Sequence, residues 1–135
     1  MFRTVVAVAS IITLGFVGAI AAEPASAEKA SAPTRTILQR ADIPGTDLEL
    51  VYATMDIPSG AKTERHMHPG VSMGQVVEGE VWQQFDGQPK RILRAGESAV
   101  IPANAVHEDG STGKPAKMAW AYVVPKGKPL AVPAP

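Results

Sequence analysis

Gly60-Ala61-Lys62-Thr63-Glu64-Arg65-His66-Met67-His68-Pro69-Gly70-Val71-Ser72-Met73-Gly74-Gln75-Val76-Val77-Glu78-Gly79 holds two of the chain's three histidines, one residue apart. Side chains alternate along a strand, so His66 and His68 share a face with Cβ atoms roughly 6–7 Å apart. Two imidazoles so placed reach one metal ion at about 2.0–2.1 Å per bond, provided a third ligand arrives from a neighbouring strand. Taken alone, the pair reads more readily as two solvated imidazoles on an edge strand. His107 supplies the third ligand, in the later stretch Gly96-Glu97-Ser98-Ala99-Val100-Ile101-Pro102-Ala103-Asn104-Ala105-Val106-His107.

Outward from these stretches no segment keeps a helical period. Short apolar runs alternate with turn residues, as in a barrel or sandwich. The pattern predicts strands over 48–57, 63–68, 72–77, 80–85, 91–93, 98–101, 106–109 and 117–124. Pro58-Ser59-Gly60, Glu78-Gly79, Asp86-Gly87, Ala95-Gly96 and Gly113-Lys114-Pro115 punctuate them. Gly60, Gly79 and Gly96 fall where the chain must reverse. The expected barrel domain covers 37–125, after a flexible leader over 28–36 rich in Ala, Ser, Pro and Lys. The Pro-rich tail over 126–135 is expected to run extended along the surface.

Both stretches resemble the cupin family. Its first motif is a glycine, five residues, His-x-His, three or four residues, a Glu, six residues and a glycine; Gly60, His66, His68 and Gly79 fall in register with it. Its second is a glycine, five residues, Pro-x-Gly, two residues, His, three residues and Asn, and Gly96, Pro102 and His107 match. The likeness runs from about Asp47 to Val124 and is greatest to small single-domain cupins described as quercetin-dioxygenase-like. It implies an all-β antiparallel jelly-roll barrel of about six to eight strands, with the histidines binding one divalent metal in its mouth. Dioxygenase-like oxidation of a small organic molecule is the activity that the resemblance implies.

The chain departs from the family at three places. Asn104 replaces a turn glycine, a mild change because Asn tolerates the left-handed region. Ser111 replaces the trailing Asn, and Ser72 stands where the family has its Glu ligand. A serine hydroxyl is a poor ligand unless ionised, so the protein offers three neutral imidazoles. Such a site suits Fe, Zn, Ni or Cu better than Mn, and it leaves positions open for substrate or dioxygen. Ser72 becomes a hydrogen-bond donor or the gap where a ligand enters. Glu64 shares strand parity with His66 and His68 and is a candidate carboxylate near the metal. Asp109 has the parity of His107 and is a candidate acceptor that orients an imidazole. Met118, Trp120 and Tyr122 share one face of the last long strand and are expected to be core. Lys62 and Arg65 are candidate anion contacts at the rim.

Composition narrows the partners. The 135 residues make one domain, with 13 basic and 13 acidic side chains and no cysteine. Nothing forms a basic stripe for nucleic acid, and neither disulfide nor thiolate ligand is available. A domain this small gains from a bound metal or from a second subunit, as in a homodimer. Met1-Phe2-Arg3, an uncharged run from Thr4 to Ala22, and Ala25-Ser26-Ala27 follow the plan of a signal peptide over 1–27. Cleavage is expected after Ala27, with Ala21 and Ala22 as alternatives. The mature protein would then be periplasmic or secreted, free of the membrane, with a small molecule as its ligand. Three function classes stay open: a metal-dependent enzyme, a non-catalytic metal or small-molecule binder, and a barrel stabilised by its metal.

Overall fold

The computed structural model describes residues 31–135, and its regular elements are all strands. They are β1 (Thr34–Asp42), β2 (Leu48–Ile57), β3 (His66–Met67), β4 (Val71–Glu78), β5 (Glu80–Phe85), β6 (Arg91–Arg94), β7 (Ser98–Ile101), β8 (His107–Ser111), β9 (Ala116–Pro125) and β10 (Val132–Pro133). Two five-stranded antiparallel sheets face one another, in the orders β1-β2-β9-β4-β7 and β10-β3-β8-β5-β6. Residues 1–30, which include the expected signal peptide and its cleavage site, lie outside the described residues.

Alternation builds the core. On β2, Val51, Ala53, Met55 and Ile57 point inward, and on β9 so do Met118, Trp120, Tyr122 and Val124. The β2–β9 register sets Met55 against Met118 and Ala53 against Trp120, so the inward rows coincide. Val76 of β4, Val81 of β5, Leu93 of β6 and Ile101 of β7 close the core. Large side chains buried this fully contribute about 1.5–3 kcal/mol each to holding the sheets together.

Two turns depend on special backbone. Asn104 has φ 60°, and its N–H donates to the His68 carbonyl, tying the two histidine stretches together. Gly79 has φ 75°, and a Cβ there would stand 2.5 Å from the Pro115 carbonyl oxygen.

The ends of the domain differ from the expectation. β1 begins at Thr34, inside the stretch expected to be a flexible leader. Its residues are mostly exposed and a bulge interrupts the register between Ile37 and Gln39, so no clean alternation marks it. β3 is only two residues long, because the chain after Thr63 leaves strand geometry until His66. The Pro-rich tail runs back over the barrel, with Leu130 buried and β10 paired to β3.

Candidate metal centre

The three histidines meet between the sheets. His66 and His107 are direct partners across β3 and β8, and His68 follows β3 by one residue. Ring centroids are separated by 4.3 Å for His66 and His107, 5.0 Å for His66 and His68, and 5.1 Å for His68 and His107. All three are buried, and their ligand-capable atoms lie within 4.8 Å of one another.

Hydrogen bonds fix the tautomers. Nδ1 of His66 bonds to the Glu64 carbonyl (2.8 Å), that of His68 to the Leu130 carbonyl (2.6 Å) and that of His107 to the Ala105 carbonyl (2.9 Å). A carbonyl only accepts, so each Nδ1 carries the proton and each Nε2 presents a lone pair. Burial lowers the pKa of all three imidazoles, that of His68 to about 3, against the opposing pull of these carbonyl bonds. At pH 7 they are therefore neutral, the form that binds metal.

The orphaned atoms show that a metal fits. Nε2 of His107 is buried with no hydrogen-bond partner, and Oδ2 of Asp109 lies 3.7 Å from it. With His107 neutral this contact is no ion pair, because two lone pairs face each other. A cation among the three histidines would give the His107 lone pair a partner.

Asp109 is buried on β8, where Oδ1 accepts 2.8 Å from Nε2 of Gln83. Gln83 in turn accepts from Nε of Arg91 at 3.0 Å. Burial pushes the Asp109 carboxyl above the usual carboxylate range, while the Gln83 bond pulls it down. Ser72 is fully buried on β4, and its Oγ has no partner. Glu64 is exposed and lies outside the histidine cluster, so it serves His66 through its carbonyl rather than its carboxylate. The short β3 explains this, since strand parity does not extend back to Glu64.

Tyr122 packs edge-on against His68 with centroids 5.1 Å apart, while Met118 and Trp120 beside it are core. Lys62 and Arg65 are ion-paired with Glu108 and Asp86. Three contributors carried no sequence signal: Gln83, the Leu130 carbonyl, and Arg35, whose guanidinium carbon stands 5.5 Å from the Tyr122 ring centroid. A cavity of about 270 Å³, lined by Arg35, Thr63, Glu64, His66 and Val132 among others, opens beside the cluster. A larger one of about 670 Å³ lies against Tyr52, Met73, Val100 and Ala121, on the outward side of the first sheet. It is remote from this chemistry.

Two antiparallel sheets enclosing a three-histidine cluster at one end define a jelly-roll barrel with a candidate metal centre. The chain belongs to the cupin family, whose Cupin domain model matches residues 53–124. No curated protein matches the chain. Among solved structures it is similar to a cupin superfamily protein from Desulfitobacterium hafniense, with 18% identity, a TM-score of 0.60, and 71% of this chain and 81% of that one covered. A cupin 2 conserved barrel domain protein from Leptotrichia buccalis is 30% identical with a TM-score of 0.57, over 67% of this chain and 40% of that one. A recombinant oxalate oxidase in complex with glycolate is 26% identical with a TM-score of 0.59, over 76% of this chain and 55% of that one.

Proposed function

We propose that this cupin is a metal-dependent oxidoreductase of dioxygenase-like type, acting on a small organic molecule in an exported compartment. The observation that carries the reading is the convergence of three neutral, Nδ1-protonated histidines on one point with no carboxylate among them. Such a centre keeps coordination positions open, which a purely structural site does not need. The likeness to an oxalate oxidase supports an oxidative chemistry, and the Thr4–Ala22 run with its Ala25-Ser26-Ala27 site supports export.

His66, His68 and His107 would hold Fe, Zn, Ni or Cu, each imidazole aimed by its carbonyl partner. A bound transition metal would supply Lewis acidity and, for Fe or Cu, an electron route to dioxygen. Ser72, whose Oγ has no partner, would be free to donate a hydrogen bond to a bound ligand. The Asp109 carboxylate, steadied by Gln83 and Arg91, is placed to accept a proton beside His107. Tyr122, Met118 and Trp120 keep bulk water from the inner wall.

The test is oxygen uptake by protein carrying the metal found in it when purified from its own compartment, across a panel of small carboxylates, enols and phenols. Uptake on at least one compound, abolished in His68→Ala, is expected. No uptake on any of them, with the metal in place, would favour a non-catalytic cupin that senses or sequesters a metal or small molecule. The loss of the Glu at position 72 is the feature favouring that second reading.

A further inference from the structure

We propose that Arg35 is an anion-binding arm of the three-histidine centre, and that the ligand is a small organic carboxylate held between the metal and the Arg35 guanidinium. The inference rests on the metal-centre reading above and names the class of molecule that the centre takes.

The register of the first sheet sends this side chain inward. Arg35 is the direct partner of Met55 across β1 and β2, and Met55 belongs to the core. Direct partners in an antiparallel pair share a face, so Arg35 points toward the barrel interior although β1 is an edge strand. Its guanidinium carbon lies 5.5 Å from the centroid of Tyr122, whose ring is 5.1 Å from that of His68. Tyr122 thus lies beside both the arginine and His68.

The unpartnered atoms agree with this placement. Among the described residues the buried side-chain nitrogens and oxygens without a partner are Nε of Arg35, Oγ of Ser72 and Nε2 of His107. Ser72 is the direct partner of Tyr122 across β4 and β9, on the same inward face. One N–H donor, one O–H donor and one metal-binding lone pair therefore surround Tyr122 and His68. A molecule with one oxygen on the metal and a carboxylate on the arginine would account for the His107 lone pair and the Arg35 donor. The guanidinium fork matches a carboxylate in shape as well as charge.

Charge points the same way. Lys62 and Arg65 at the rim already pair with Glu108 and Asp86, whereas Arg35 is in no ion pair among the described residues. A divalent ion held by neutral imidazoles beside a guanidinium leaves an excess of positive charge. Asp109, the one buried carboxyl in contact with the cluster, already accepts from Gln83. The cavity of about 270 Å³ shared by Arg35 and His66 admits only a small ligand.

The test is calorimetric titration of the full mature chain loaded with Zn²⁺, a redox-inert ion, so that binding is read without turnover. The probes are lactate and succinate, with lactamide and succinamide as uncharged counterparts. At least one carboxylate is expected to bind at least ten times more tightly than its amide. Arg35→Gln should weaken that carboxylate by tenfold or more, and Arg35→Lys should recover part of the loss, with zinc held one to one in both. Equal binding of carboxylate and amide by the wild type would overturn the proposal, whether or not the variants fold. So would unchanged carboxylate affinity in Arg35→Gln, or no carboxylate binding by a wild type that holds zinc. A wild type that holds no zinc fails the metal reading itself. One that binds carboxylates through Arg35 yet never consumes oxygen fails only the enzymatic reading.

Discussion

Stripped of metal, this barrel should be acid-labile in a way set by His68. Its imidazole is buried, with a folded pKa lowered to about 3, against about 6.5 in an unfolded chain. Below pH 6.5 the unfolded chain takes up a proton that the folded one refuses, so stability is full above that pH and is lost as pH falls toward 3. At about 1.4 kcal/mol per pH unit, the 1.5 units between pH 6.5 and 5 remove roughly 2 kcal/mol through His68 alone. His66 and His107, lowered in the same direction, add to it, while Asp109, raised by burial, takes up a proton in the folded chain over the same range and offsets part of the loss. That is a large part of the 5–15 kcal/mol, or about that, which holds a domain together. Urea unfolding of the metal-free protein at pH 7, 6 and 5 measures the loss, and His68→Gln should flatten the dependence by about 2 kcal/mol. A pH slope unaltered in His68→Gln would refute the burial argument.

Three further outcomes are expected. Ser72→Glu puts a carboxylate at a fully buried position beside the histidines and should shift preference toward Mn²⁺ over Cu²⁺, on the order of tenfold; unchanged metal competition would place residue 72 away from the ion. Truncation after Gly127 removes the Leu130 carbonyl that aims His68 and the β10 pairing to β3, and should weaken metal binding by about 10–100-fold in equilibrium dialysis. Full affinity in the truncated chain would show that the tail is only a cover. Mass spectrometry of the exported protein should find a chain beginning at Glu28, and an intact Met1–Ala27 segment would favour a membrane anchor.

How much of this was legible in the sequence follows from which forces are local. β2, β5 and β7 are found where the apolar runs and their flanking turns put them, although the faces are not cleanly sorted: Glu49 and Gln83 are buried while Leu50, Tyr52 and Val100 are exposed. The histidine triad was legible too, since parity within a strand and fixed glycine spacing are properties of sequence. Ser72 is fully buried on β4 and pairs across the sheet with Tyr122, which packs against His68. Asp109 lies next to His107 as parity suggested, although it faces Nε2 rather than orienting the ring through Nδ1. Glu64 lies outside the histidine cluster because parity holds only while the strand lasts, and β3 starts at His66. β1 was hidden by its bulge and by the exposed faces of an edge strand. The roles of Arg35 and Leu130 come from long-range pairing, with Met55 across the sheet and with His68 across 62 residues of chain, which no local pattern encodes.

The central claim is that His66, His68 and His107 jointly hold one divalent ion. Elemental analysis of protein purified from its native compartment, beside His66→Ala, His68→Ala and His107→Ala prepared identically, tests it most directly. One transition-metal ion per wild-type chain, lost in each variant, is the expected result. A metal-free wild type, or full occupancy surviving in any two of the three variants, would contradict it.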